Sequence, residues 1–315
     1  MKLTRGIKSP ARGNKVMLCI AIYLVLFIIT TQILLPELGA MAMAAISQIG
    51  GMVVPILAYL LFTKQKPRDI FELKPLSGTN TLLVIAISIA LIPMTLFAMY
   101  LLSLVFVPTL EFLTMDTVVL PFPFWIALIT GAILPSIFEE LLYRGAIYSE
   151  YQGEGHGASI GMTALMTGIF FGIKHLNFHQ AIYAAALGVV FAYLVYYTRS
   201  ILAPIICHFI INSAILLLTY IEVFVEFIRE LMVGNIISLL VIVGASVVMF
   251  PVLIICLKKL KAYYIATIPT KDVVLKSTKN VAVKPKIFTW ALWVALSIFL
   301  AIMIFQEIGM RASLS

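Results

Sequence analysis

Two adjacent carboxylates and a guanidinium stand at the end of an otherwise apolar segment, in Phe138-Glu139-Glu140-Leu141-Leu142-Tyr143-Arg144. Ionisable groups in hydrocarbon are costly and persist where they face a partner or a watery cavity and act there. Residues four apart share one helical face, and adjacent residues diverge by about 100°. Glu140 and Arg144 therefore pair within one helix, while Glu139 points toward Tyr143 and whatever cavity lies beside it. Glu140 becomes the anchored carboxylate. Glu139, without a cation of its own, is left to accept a proton from water, the task of a general base. The same ions could also serve only to lock helices together.

Two further pairs lie in later apolar segments. Phe171 and His175 share a face in Phe171-Gly-Ile-Lys-His175, and His208 and Asn212 share one in His208-Phe-Ile-Ile-Asn212. The latter two could bridge helices. They could equally aim two donors at one developing oxyanion, which amide hydrolysis requires. His179 follows His175 at helical spacing, but the intervening Leu-Asn-Phe has the character of a turn, so His179 is set aside as a ligand. Lys174 is expected to snorkel toward an interface. Glu139, His175 and His208 would make an acceptable two-His-one-carboxylate zinc set with an open position. Against zinc, there is no His-Glu-x-x-His helix and no supporting carboxylate beyond Glu140. The expectation is no obligatory metal, with zinc on those three residues as the variant.

The elements that carry these residues belong to a membrane. Of 315 residues, 62% are hydrophobic and 11% charged, and mean hydropathy is +1.09; an ordinary soluble domain is about a quarter charged. The apolar stretches run the whole length, which predicts an all-α, polytopic transmembrane bundle of about nine spans with an intramembrane polar cavity. Residues 1–315 form one membrane domain, with a catalytic core at about 122–220. The spans are expected at 16–35, 42–62, 82–107, 122–148, 159–175, 181–197, 201–220, 231–257 and 287–305. The mixed segment 221–230 lies along the surface. The first span is too long for a signal core, so it is retained.

The net charge of +8 is not a nucleic-acid signal. Its basic residues cluster before the first span, between the second and third, and in a basic cytoplasmic connection at 258–286, which is the positive-inside pattern. Nine spans with a cytoplasmic N-terminus put every cluster on one side. Partners are then the bilayer and a membrane-associated peptide or protein, with no nucleic acid. Cys19, Cys207 and Cys256 are widely spaced, apolar packers rather than a disulfide framework.

Glu-Glu-x-x-x-Arg, then Phe-x-x-x-His, then His-x-x-x-Asn, each in a hydrophobic helix, resembles the CPBP (Abi) family of intramembrane proteases. That family includes type II CAAX prenyl endopeptidases and bacterial bacteriocin-processing or immunity proteins. The likeness covers roughly residues 125 to 220. It implies a helical bundle around a conical cavity open to the cytosol. In it the positions of Glu139 and His175 would activate water and those of His208 and Asn212 would hold the oxyanion. Glu140, Arg144 and Phe171 would support them. A glutamate-type mechanism is implied, in a multi-pass protein of a prokaryotic-type plasma membrane. The rival of another class is a non-catalytic immunity or scaffold protein reusing the same cavity. A proton-relay transporter would show two related halves, which are not visible.

One geometric difficulty accompanies this reading. If the fourth span runs from the outer side inward, a full-length fifth helix would carry His175 back toward the outer half, away from Glu139. Convergence requires either a fourth helix that runs well past Arg144 or a fifth that stops short, and the short fifth segment favours the latter.

Overall fold

A backbone in hydrocarbon must satisfy its own hydrogen bonds, so apolar runs of this length become helices. The computed structural model describes residues 8–35, 42, 46–107, 123–153, 157–232, 234–267 and 284–314. The expected loop at 108–121, most of the basic connection (268–283), and Lys2 and Arg5 lie outside the described residues. The helices are α1 (Pro10–Leu34), α2 (Ile46–Thr63), the short α3 (Pro67–Phe71), α4 (Gly78–Ser103), α5 (Phe124–Tyr151), α6 (Ile160–Ile173), α7 (Phe178–Thr198), α8 (Leu202–Thr219), α9 (Glu222–Met232), α10 (Ile236–Thr267) and α11 (Trp290–Leu314).

Among the described residues, eight helices are long and apolar enough to cross a membrane. The ninth expected span is α6, whose 14 residues are too few to cross alone. α9 is the surface segment anticipated at 221–230. Its apolar side, Phe224, Phe227, Ile228 and Leu231, packs on Leu96, Met99, Tyr100 and Ile242.

The difficulty of depth is resolved by both devices together. α5 continues past Arg144 to Tyr151, 12 residues beyond Glu139, which carries the chain about 18 Å down; the 14 residues of α6 climb about 21 Å back. Lys174, at the end of α6, thus arrives beside Glu139. α6 and α7 form a close hairpin. A Cβ at Gly172 would lie 2.2 Å from the Ala181 carbonyl oxygen, and one at Gly168 would lie 2.8 Å from that of Ala185. Small residues allow this backbone approach. Leu176, at φ 63°, makes the turn, and Asn177 caps α7 by accepting from the Gln180 amide at 2.7 Å.

The far end of α5 is tied to the flanking helices by a buried polar network. Arg12 of α1 donates to Glu150 through Nε at 2.6 Å and Nη2 at 2.7 Å, and the Tyr59 hydroxyl of α2 donates to the same carboxylate. Tyr151 donates to Asn14, whose amide reaches the Ile287 carbonyl at 2.6 Å and Thr289 at 3.0 Å. Sequence placed Arg12 in the basic flank before the first span. Instead it is buried, where its guanidinium neutralises the buried Glu150 carboxylate. Breaking one side of such a pair strands a charge and costs about 3–5 kcal/mol, whereas replacing both partners by apolar groups is often neutral. Arg12→Met is expected to lower the thermal midpoint of the protein in detergent by several degrees, and Arg12→Met with Glu150→Leu to recover most of it.

Candidate active site

α5 is not a uniform α-helix. It widens to π geometry at Ile129–Ile133 and again at Leu141–Ile147, a form concentrated at functional positions. The α-helical piece between them, Leu134–Glu140, ends on the two glutamates. Pro135 has no N–H to give to the Gly131 carbonyl four residues earlier. That carbonyl accepts from the Asn212 amide of α8 at 3.3 Å instead.

The second widened stretch carries Arg144. Its guanidinium is fully buried and is contacted by residues of three helices, α5, α6 and α7. Nη1 donates to Glu140 at 3.1 Å and Nη2 to the Gly188 carbonyl of α7 at 3.0 Å. The guanidinium carbon lies 4.2 Å from the centre of the Phe171 ring and 5.2 Å from that of Phe191. Glu140 also holds His208 of α8, at 3.0 Å from Nδ1. With the carboxylate accepting, Nδ1 carries the proton and Nε2 faces away.

Phe171 is the hub of the aromatic packing. His175 and His208 meet it edge-on at 5.7 Å and 5.6 Å between ring centres, and Tyr143 does so at 5.6 Å. Phe191 stacks on His208 at 5.3 Å. Both imidazoles lie within electrostatic reach of Glu139. Glu139 and Glu140 are 3% and 0% exposed, and His175 is half-buried with its ring bonded to Gln180. Among the described residues, Glu140 Oε2, Arg144 Nε and the Tyr143 hydroxyl find no partner although buried. Hydrogen-bonding capacity therefore remains at the core of the cluster.

Against the expectations drawn from sequence, Glu140 pairs with Arg144 as anticipated, and His179 lies apart, bonded to the Met99 carbonyl at 3.0 Å. Two expectations need correction. Glu139 is not left without a cation: it forms an ion pair with Lys174. Lys174 does not snorkel to an interface, because its side chain is only 4% exposed and its ammonium sits 5.2 Å from the Phe171 ring. With Glu139 buried, an ammonium in the same apolar pocket compensates a charge that would otherwise be stranded. Asn212, expected at the oxyanion, gives one amide hydrogen to the Gly131 carbonyl and keeps the second. Sequence analysis missed Gly188 and Phe191 altogether. The detectable signal for Lys174 was its position inside an apolar run, one residue before His175.

Of the three residues of the zinc variant, Glu139 is paired with the Lys174 ammonium, while His208 bonds Glu140 through Nδ1 and keeps Nε2 open. Among the described residues no three His, Cys, Asp or Glu side chains cluster as a metal site requires.

Residues 121–214 match the family model described as "Type II CAAX prenyl endopeptidase Rce1-like", in agreement with the resemblance carried by the three motifs. At the level of the family this supports a CAAX-type intramembrane protease in a multi-pass membrane protein. No curated protein and no solved structure matches the chain.

The cluster depends on the absence of a side chain at residue 188. A Cβ there would fall 2.8 Å from Arg144 Nη2 and from the Gly168 Cα. Gly188→Ala is expected to destabilise by about 1–3 kcal/mol through overpacking, read as a lower thermal midpoint. Gly161→Ala, whose Cβ would find its nearest neighbour at 3.7 Å, is expected to leave the midpoint unchanged or raise it.

Proposed function

We propose that this protein is an intramembrane endopeptidase in which Glu139 activates water. One observation carries the reading: Glu139, buried in an apolar bundle, lies within electrostatic reach of both imidazoles, and the two imidazoles share a single aromatic hub, Phe171. A structural ion pair alone would have no use for two histidines from two other helices at the same spot.

The chemistry follows from the donors and acceptors. Glu139, assisted by His175, takes a proton from water. The oxygen attacks the carbonyl carbon of a peptide bond exposed in the membrane cavity. The oxyanion that forms is held by His208, whose Nε2 donates when the ring is cationic, and by the second amide hydrogen of Asn212. Glu139 then returns the proton to the leaving nitrogen, and the C–N bond breaks. Glu140 and Arg144 do no chemistry: they orient His208 and fix α5 against α7. The reaction is written without metal, in keeping with the Glu139–Lys174 pair and with the lack of a three-ligand cluster among the described residues.

The substrate is a membrane-associated protein or peptide whose scissile bond reaches this depth. The N-terminus and the basic clusters face the cytoplasm of a prokaryotic-type plasma membrane. Support for a single basic side comes from the packing of the basic-flanked ends at one end of the bundle. There Ser200 bonds the Lys74 carbonyl, the Ile201 amide bonds that of Glu72 at 3.3 Å, and Tyr264 packs on Tyr196 and Tyr197.

Removing a general base costs about 10²–10⁴-fold in rate. Glu139→Gln and His175→Ala are each expected to reduce cleavage at least that far while the protein still inserts, as judged by comparing new peptide termini in membranes of wild type and variant. Undiminished cleavage in Glu139→Gln would remove Glu139 from the mechanism, and an unchanged phenotype without any cleavage in wild type would favour the scaffold reading.

A further inference from the structure

Lys174 poses a problem for a base at Glu139. The two side chains are 4% and 3% exposed and in direct contact, and the pocket around them is built of Phe171, Tyr143 and the imidazoles. Pulling a carboxylate from an ammonium in such surroundings leaves two uncompensated charges, at several kcal/mol each. As long as the pair holds, the carboxylate oxygen that contacts Lys174 is unavailable to water. A neutral peptide entering the pocket offers the ammonium no replacement.

We infer that Lys174 is a carboxylate-exchange site: a substrate carboxylate next to the scissile segment displaces Glu139 from the ammonium and so releases the base. The inference rests on the peptidase reading given above and names the substrate chemistry that this site would select. The exchange balances in charge. The incoming carboxylate takes the cation, and Glu139 loses its own charge when it removes a proton from water. The negative charge then passes with the attacking oxygen to the oxyanion facing His208. Water stays unactivated until a substrate of the right kind arrives.

Position favours the exchange. Lys174 caps the end of α6, at the turn through Leu176 rather than inside a rigid helix. Arg144, the other buried cation at this site, has Nη1 and Nη2 committed to Glu140 and Gly188. A free chain terminus and an acidic side chain both carry such a carboxylate, and the same ammonium would accept either.

The test uses the full chain in lipid nanodiscs and isothermal titration with three apolar pentapeptide probes: one with a free C-terminal carboxylate, its C-terminal amide, and an amide with one interior Glu. Wild type is expected to bind the free acid at least about tenfold more tightly than the plain amide, a difference of about 1.4 kcal/mol. Lys174→Arg keeps the preference and Lys174→Met erases it. Glu139→Gln, which removes the competing carboxylate, tightens the acid about tenfold further and leaves the plain amide unchanged. Interior Glu binding like the free acid assigns an acidic side chain as a source, and binding like the plain amide assigns the chain terminus. Equal binding of all three probes by wild type, or a preference that survives Lys174→Met, overturns the proposal. Should Lys174→Met fail to fold, an acid affinity unchanged in Glu139→Gln overturns it equally. Cleavage of the same probes is followed in parallel. The binding pattern without cleavage would refute the peptidase reading and keep the exchange; cleavage without the pattern would do the reverse.

Discussion

A guanidinium enclosed by hydrocarbon side chains has to be neutralised and hydrogen-bonded by protein, and that requirement at Arg144 sets the register of four helices. α5 supplies Glu140 one turn away, α7 supplies the Gly188 carbonyl and the Phe191 face, and α6 supplies the Phe171 face. α8 joins because Glu140 also takes His208. Sliding any of these helices by one turn, about 5.4 Å, would break a charge-assisted contact in a low-dielectric interior, where such contacts are hard to replace.

Close approach makes this closure possible, and it comes from backbone details rather than from large apolar side chains. Gly168 and Gly172 bring α6 against α7, and Gly188 leaves room for the guanidinium. The π stretch at Leu141–Ile147 surrounds Arg144. Pro135 frees a carbonyl of α5, and Asn212 of α8 satisfies it.

Scaffold and chemistry are divided between two neighbouring carboxylates. Glu140 is spent on two partners, one from its own helix and one from α8. Glu139 is paired with Lys174, a residue at the end of a short helix, and this is the one contact that has to be exchanged before Glu139 can accept a proton. The flanking helices have another task. Arg12, Tyr59 and Asn14 grip the last turn of α5, beyond Arg144, and hold that extended end in place. Without that end α6 would start too high to deliver Lys174 and His175 to the glutamates.

The amino-acid sequence alone determined the membrane class, the helical content, most span boundaries and the Glu140–Arg144 pair. Each of these follows from local periodicity and composition, which a linear reading captures in full. It also singled out His175 and His208, because polar residues are so scarce in apolar runs. Only the tertiary structure decided that Glu139 meets Lys174, that Arg12 is buried against Glu150, and that Asn212 is drawn to a carbonyl freed by a proline. The physical reason is common to all three: an ionic or polar group in an apolar bundle takes the partner that helix packing brings within 3 Å or so. That partner lies tens of residues away, on a helix whose depth and rotation are set by glycine contacts and π turns that hydropathy does not record.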